Sequence, residues 1–192
     1  MIQLDILCVG DLSRDEEGNV LDAHSTSVLI RAAGHNIVVD PSDKYMDAAV
    51  HTSFKQLGIL PEEVDMVVLT HTHSDHIENL GMYKKARVYV HSGAKVQIPG
   101  TIVIDAPEYK LCEGVKLVHT PGHCNEEMSV FVNADRKYVC AGDAIPLEDN
   151  FMKNVPPAIN VDARLALESI KKIRDYADVV IPGHGFPFMT DQ

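Results

Sequence analysis

Ile2 to Val9 and Thr26 to Ala32 mix alternating and continuous apolar positions as strands do, and Ile37 to Val39 is a third apolar run that ends at Asp40. The chain is therefore expected to begin with sheet. Between the first two runs, Asp11 to Ser25 is polar and contains Glu16-Glu17-Gly18-Asn19, which predicts a long hairpin or loop able to serve as a flap. After Pro41, the positions Met46, Ala49, Val50, Phe54 and Leu57 recur at helical spacing, and Gly58 stops the helix. Val64 to Thr70 reads as a short apolar strand, followed by a polar loop and a short helix through Ile77 and Leu80 to Gly81. Further strands are expected at Arg87 to Val90, Thr101 to Ile104, Val115 to Val118, Met128 to Val132 and Lys137 to Ala141. Ala163 to Tyr176 supplies the second clear helix, with Leu165, Leu167, Ile170 and Ile173 on its apolar face, and Val179 to Ile181 closes the strand inventory. Ile145 to Val161, with Pro146 and Pro156-Pro157, is a long irregular segment of the kind that forms a lid or a binding wall.

Interleaved strands and helices over 192 residues, 45% of them apolar, predict one α/β domain, 1–192. Seventeen Lys and Arg against 28 Asp and Glu leave a formal charge of −11, which disfavours a nucleic-acid partner because phosphate binding draws on Lys and Arg. No apolar run approaches the roughly 18–20 residues of a membrane span, and Met1 to Gly10 has no basic stretch, so neither spanning nor secretion is expected. Cys8, Cys112, Cys124 and Cys140 form no CxxC pair. A reducing cytoplasm suits them. Cys140 reads as strand packing and Cys124 as a small buried thiol.

The ten histidines are distributed unevenly. His71-Thr72-His73-Ser74-Asp75-His76 places four candidate ligands in six residues at the carboxyl end of an apolar strand. His71 and His73, two apart, point the same way in extended backbone, whereas Asp75 and His76 need a turning backbone to converge. The alternative, in which Asp75 and Glu78 cap the next helix, leaves three imidazoles needing partners that a metal satisfies together. Downstream, Thr120-Pro121-Gly122-His123 is a tight turn presenting a histidine. Gly183-His184-Gly185 holds another between glycines that let backbone approach closely. Ala141-Gly142-Asp143-Ala144 puts an aspartate after an apolar strand. Five histidines and two aspartates supply donors that zinc accepts, in the number two ions require. Asp40, at its strand end, suits a supporting role for a ligand imidazole. His24 lies in the polar flap, and His35, His51, His91 and His119 lack comparable clustering.

Through THTHSDH at 70–76, TPGH at 120–123, AGDA at 141–144 and PGHG at 182–185, with Asp40 in VVDPS, the chain resembles the metallo-β-lactamase-fold hydrolases over nearly its whole length. The resemblance implies a four-layer αββα sandwich of two mixed sheets, with the site along one sheet edge. It implies that His71, His73 and His123 hold one metal, that Asp75, His76 and His184 hold a second, and that Asp143 bridges them. Two divalent cations about 3.5–4 Å apart lower the pKa of a shared water toward about 7, giving hydroxide as the nucleophile. Zinc is the expected metal, with iron or manganese as alternatives, and Asp75 is the expected catalytic group that orients the nucleophile or relays its proton.

The fold leaves the substrate open. Only eight residues follow His184, so a glutathione site built from a C-terminal helical region is not expected. Only 40 residues separate Asp143 from His184, which leaves no room there for a large inserted nuclease domain. Asp143 stands where many zinc β-lactamases of this fold carry cysteine, so an antibiotic substrate is not expected either. The expectation is a small-molecule ester, thioester or lactone. The alternatives are a mononuclear iron persulfide-type dioxygenase, a phosphodiesterase or nuclease acting on RNA, and a non-catalytic metal-binding module. Selectivity is expected from the flap and from Ile145 to Val161, where Phe151 and Met152 offer apolar contact and Lys153 and Arg164 offer positive charge.

Overall fold

The computed structural model describes residues 1–94 and 98–191. Strands β1 (Gln3–Cys8), β4 (Ser27–Ala32), β5 (His35–Val39), β6 (Met66–Val68), β7 (Arg87–His91) and β8 (Ile102–Ile104) lie side by side in that order in a first sheet. The second sheet has the order β14 (Phe188–Met189), β13 (Val179–Pro182), β12 (Lys137–Gly142), β11 (Met128–Asn133), β10 (Val115–His119) and β9 (Glu108–Cys112). Strands β2 (Asp11–Arg14) and β3 (Val20–His24) form a separate two-stranded ribbon. The helices are α1 (Asp47–Leu57), α2 (Ser74–Ile77), α3 (Glu148–Met152) and α4 (Ala163–Arg174).

Both sheets are mixed. β1, β4 and β5 are antiparallel neighbours, and a tight turn at Ala33 (φ 52°) and Gly34 (φ 82°) joins the last two. From β5 onward the sheet is parallel, with α1 in the connection from β5 to β6. The second sheet is an antiparallel meander from β9 to β12, and α4 then carries the chain to β13, which runs parallel to β12.

The layers follow from alternation along each strand. In β4, Val28 and Ile30 enter the core between the sheets while Leu29 points out beneath α1, against Val50 and Phe54. In β12, Cys140 enters the inter-sheet core, whereas Val139 and Ala141 meet Ile170 and Ile173 of α4 on the outer face. One helix therefore seals the outside of each sheet, giving the αββα sandwich. The two sheets are also joined by backbone at one end, where Met128 N–H donates to Thr70 O at 2.8 Å, and Thr26 N–H donates to Gly183 O at 2.7 Å.

Three local readings change, and a fourth resolves to one of its two expected forms. β9 was not expected, because Glu108-Tyr109-Lys110-Leu111-Cys112 is a partly exposed edge strand in which two charged residues interrupt the apolar ones. Val179 to Ile181 does not close the inventory, since β14 adds two residues antiparallel to β13. The segment 145–161 contains α3, a short helix too brief to show a period. Asp11 to Ser25 is the β2–β3 ribbon, the hairpin form of the two expected.

The packing sets the expected cost of core truncation. Phe54, 1% exposed, fills the layer between α1 and the first sheet, so Phe54→Ala lowers stability by about 3–5 kcal/mol. Phe186, 75% exposed, gives a change within about 0.5 kcal/mol on substitution by alanine. Urea unfolding of the two variants checks the contrast.

Candidate metal centre

The seven candidate ligands arrive from the ends of four strands that the two sheets bring to one edge. His71 follows β6 and His73 continues in extended backbone (φ −69°, ψ 150°), after which α2 turns Asp75 and His76 into the same space. Asp75 makes no capping bond; α2 has no side-chain cap. The turn after β10 delivers His123, and β12 and β13 end at Asp143 and His184.

His73 Nδ1 lies 2.9 Å from His71 Nε2 and 3.0 Å from His123 Nε2. Three imidazole nitrogens at this spacing approach the roughly 3.4 Å edge of a tetrahedron with Zn–N bonds of about 2.0–2.1 Å. A second group joins Asp75, His76 and His184: Asp75 Oδ2 is 3.7 Å from His76 Nε2 and 3.6 Å from His184 Nε2. Asp143 stands between the groups. Its Oδ1 is 3.2 Å from His184 Nε2 and 3.5 Å from His76 Nε2, and its Oδ2 is 3.6 Å from His123 Nε2. His76 Nε2 and Asp143 Oδ1 are buried with no hydrogen-bond partner among the described residues. Buried polar atoms of this kind need a partner, and nitrogen and carboxylate donors converging on one space fit divalent cations.

The far side of four of the five imidazoles is fixed by an acceptor, as expected of metal-ligating histidines. His76 Nδ1–H donates to Asp40 Oδ2 at 2.9 Å, and His123 Nδ1–H to the Ile159 carbonyl at 2.8 Å. His184 Nδ1 faces the carbonyls of Asp11 (3.1 Å) and His24 (2.9 Å). His71 Nδ1 lies 3.1 Å from Thr70 Oγ1 and 3.4 Å from Glu127 Oε2. His24 thus contributes its backbone here. Asp40 does what its position predicted: it supports the centre from behind.

Gly183 is required by contact, since a Cβ there would overlap Asp143 Oδ1. Gly122 (φ 140°) turns the chain toward His123 with α4 packed against it, and a Cβ would overlap the Ala166 backbone.

Electrostatics divides the histidines. Burial holds His71 well below the usual imidazole range and lowers His73 as well, which leaves both neutral. Burial acts on His76 in the same sense, but Asp40 and Asp143 outweigh it and raise His76 well above the ordinary value. His184 is raised by Asp143 against its own burial. Asp143 is itself held well below the usual carboxylate range: burial opposes ionisation, and the imidazoles of His184 and His76 overcome it.

The cavity above this cluster has a volume of about 140 Å³. His73, Asp75, His123, Asp143 and His184 form its floor; its walls are the β2–β3 ribbon and the stretch around Pro157 to Ile159. The two expected walls are in place, but the side chains expected to act in them are not. Phe151 is buried beneath α4, and neither it nor Met152 lines the cavity. Lys153 is exposed and pairs with Asp149 at 2.7 Å, and Arg164 pairs with Glu168 at 3.2 Å. Both pairings follow the i, i+4 spacing of their helical segments. Among the described residues, the Lys or Arg lining the cavity is instead Arg14.

Glu127 is the other residue that the sequence reading omitted. It is fully buried, its Oε1 accepts the Asp143 N–H at 3.0 Å, and burial with the nearby Asp143 charge raises it well above the usual range. A charged residue directly before the strand Met128 to Val132, four residues after His123, was the available signal. The remaining histidines stay apart: His35 and His51 lie beside Asp65 and Asp47, and His91 stacks on His119 with ring centroids 3.9 Å apart.

Two outcomes follow. Asp40→Asn exchanges one acceptor oxygen for a donor facing Thr70 or His76, and metal affinity falls roughly 10–100-fold, read by competition with a chromogenic chelator. Because His76 and His184 are raised and must be neutral to bind a cation, metal uptake near pH 7 releases protons and apparent affinity rises with pH. Calorimetry in buffers of different ionisation enthalpy reads that release; equal heats in all of them would contradict it.

Comparison with known proteins bears on the family of the chain. A family model of the metallo-beta-lactamase superfamily matches residues 21–99. A Methanocaldococcus jannaschii protein named as a probable metallo-hydrolase is 39% identical over 183 residues, which is 95% of this chain and 87% of that protein. An N-acyl homoserine lactonase from a Bacillus species is 28% identical over 136 residues, 63% of this chain and 54% of the lactonase. A crystal structure from Thermotoga maritima, assigned by name to the metallo-beta-lactamases, superposes with a TM-score of 0.80 at 21% identity, covering 98% of this chain and 99% of that one. With identity of this level across almost the whole length, and with this fold, the chain belongs to the metallo-beta-lactamase superfamily and is a metal-dependent hydrolase by class.

Proposed function

We propose that the chain is a dinuclear metal-dependent hydrolase of a small ester, thioester or lactone, with zinc as the metal. The observation that carries this reading is Asp143, whose two oxygens face the two histidine groups separately. In the proposed assignment His71, His73 and His123 would hold one cation, Asp75, His76 and His184 would hold the other, and Asp143 would serve both. Cations held there supply Lewis acidity, which acidifies water and polarises a carbonyl oxygen.

The protein's own groups do the rest. Asp75 Oδ2 lies between His76 and His184, while its side chain, 22% exposed, opens to the cavity, and Oδ1 accepts no hydrogen bond from the described residues. That oxygen takes the proton of the attacking water. Water adds to the carbonyl carbon, the carbon–oxygen or carbon–sulfur bond breaks, and the proton is passed to the leaving group, so acid and alcohol or thiol result. The backbone holds Asp75 for this task, because Ser25 N–H donates to its carbonyl at 3.1 Å and ties α2 to the base of the ribbon. The small cavity, whose two walls are apolar except at Arg14, favours a small acyl substrate over a polymer. The similarity to a lactonase supports a lactone among the three.

Metal analysis after mild purification is expected to give about two divalent ions per chain. Asp143→Ala loses metal and turnover of a model ester together. Asp75→Asn keeps most of the metal and loses roughly 10²–10⁴-fold in kcat. A reproducible single iron, with oxygen uptake in the presence of a persulfide, would replace the hydrolase by the dioxygenase.

A further inference from the structure

The inner face of the β2–β3 ribbon is read directly from its register. Leu12 opposes Ala23 and Arg14 opposes Val20, and all four line the cavity over the histidine cluster. Directly opposed residues in an antiparallel pair share a face, so this face is apolar except at Arg14. The ribbon's carboxylates lie elsewhere: Asp11 opposes His24 and Ser13 opposes Asp22 on the other face, and Asp15, Glu16 and Glu17 occupy the turn. Within 11–25 Arg14 is the one cation, set among five Asp and Glu.

Arg14 is not neutralised by its acidic neighbours. Asp15 is engaged by the Glu17 and Asn19 N–H groups (3.0 and 2.8 Å) and by Asn19 Nδ2 (2.9 Å). Arg14 Nη1 donates to the Gly18 carbonyl at 2.8 Å, and no carboxylate among the described residues pairs with the guanidinium. A guanidinium has five donors in a rigid fork that matches a carboxylate, and one bond to a carbonyl leaves the others available. Arg14 is also the only Lys or Arg lining the cavity among the described residues.

We propose that Arg14 is the specificity-determining receptor for a carboxylate on the substrate, which makes the substrate class a small ester, thioester or lactone carrying a free carboxylate on the arm that extends from the scissile carbonyl toward the ribbon. The inference rests on the hydrolase reading above. The acyl body lies against Leu12, Val20 and Ala23, and the cavity volume of about 140 Å³, below the roughly 300–1,000 Å³ of drug-sized sites, limits that body to a short one.

The test compares two probes with the same metal-chelating head: acetohydroxamic acid, and N-hydroxysuccinamic acid, which adds one methylene and a carboxylate. On the zinc-loaded full chain, calorimetry is expected to show the carboxylate probe binding at least about tenfold tighter. In Arg14→Gln that preference disappears while the Kd of acetohydroxamate moves less than about threefold, and Arg14→Lys retains part of it. Absence of a preference in the native protein, or its survival in Arg14→Gln, overturns the proposal. Equal weakening of both probes in Arg14→Gln also overturns it, because that result assigns Arg14 only to holding the ribbon turn through Gly18. Turnover of p-nitrophenyl acetate by the native protein tests the hydrolase reading separately, since the binding comparison needs no turnover.

Discussion

Asp40 is 2% exposed, and its carboxylate accepts three hydrogen bonds: from Thr70 N–H at 2.8 Å, Thr70 Oγ1 at 2.7 Å and His76 Nδ1 at 2.9 Å. A buried carboxylate persists only with such donors. Asp40 reaches them because its backbone is left-handed (φ 48°), a conformation Asp tolerates better than most residues. The consequences spread outward. Thr70 ends the stretch after β6 and its carbonyl takes Met128 N–H from the second sheet, so the same residue that Asp40 fixes also sets how the sheets meet at the cluster. His71 follows directly, and His76 is oriented from behind. Removal of this one carboxylate would loosen a strand end, an imidazole and an inter-sheet contact together.

The cluster is also shaped by charge. Asp143, Glu127 and Asp40 are buried within a few residues' width of one another in a chain of formal charge −11. The fold compensates with protons: His76 and His184 are raised by the carboxylates they face, and Glu127 is pushed toward its neutral form. Cations at the proposed sites would take over the positive charge that those imidazolium protons supply. The acidic composition, which argues against a polyanion partner, therefore suits a centre that concentrates positive charge in one place.

The histidine cluster was legible because its motifs sit at strand ends, where the sheet pattern already says that backbone converges. The sandwich was legible for the same reason: β4 and β12 alternate cleanly between two apolar faces. What escaped was information the periodicity does not hold. Edge strand β9 is half polar because solvent covers one side, and α3 is shorter than two helical turns. Lys153 and Arg164 are near Asp143 in sequence but are turned into solvent by the helical segments that carry them. Arg14, 129 positions before Asp143, comes close only through the ribbon's fold, which depends on the pairing of Leu12 with Ala23. Proximity along the chain was the wrong measure for a wall assembled from distant segments.

Walls and floor are nonetheless connected. His123 Nδ1 bonds to the carbonyl of Ile159, a residue of one wall, and His184 Nδ1 to the carbonyls of Asp11 and His24, the two ends of the ribbon that makes the other. Side chains on the walls can vary without disturbing the cluster, because these links are made by backbone. A displacement of either wall's backbone is different: it changes the acceptor of an imidazole and hence the direction in which that imidazole presents its other nitrogen. Substrate that seats against the ribbon and the 157–159 stretch thus presses on the same backbone that orients His184 and His123, so binding at the walls and geometry at the floor are mechanically one system.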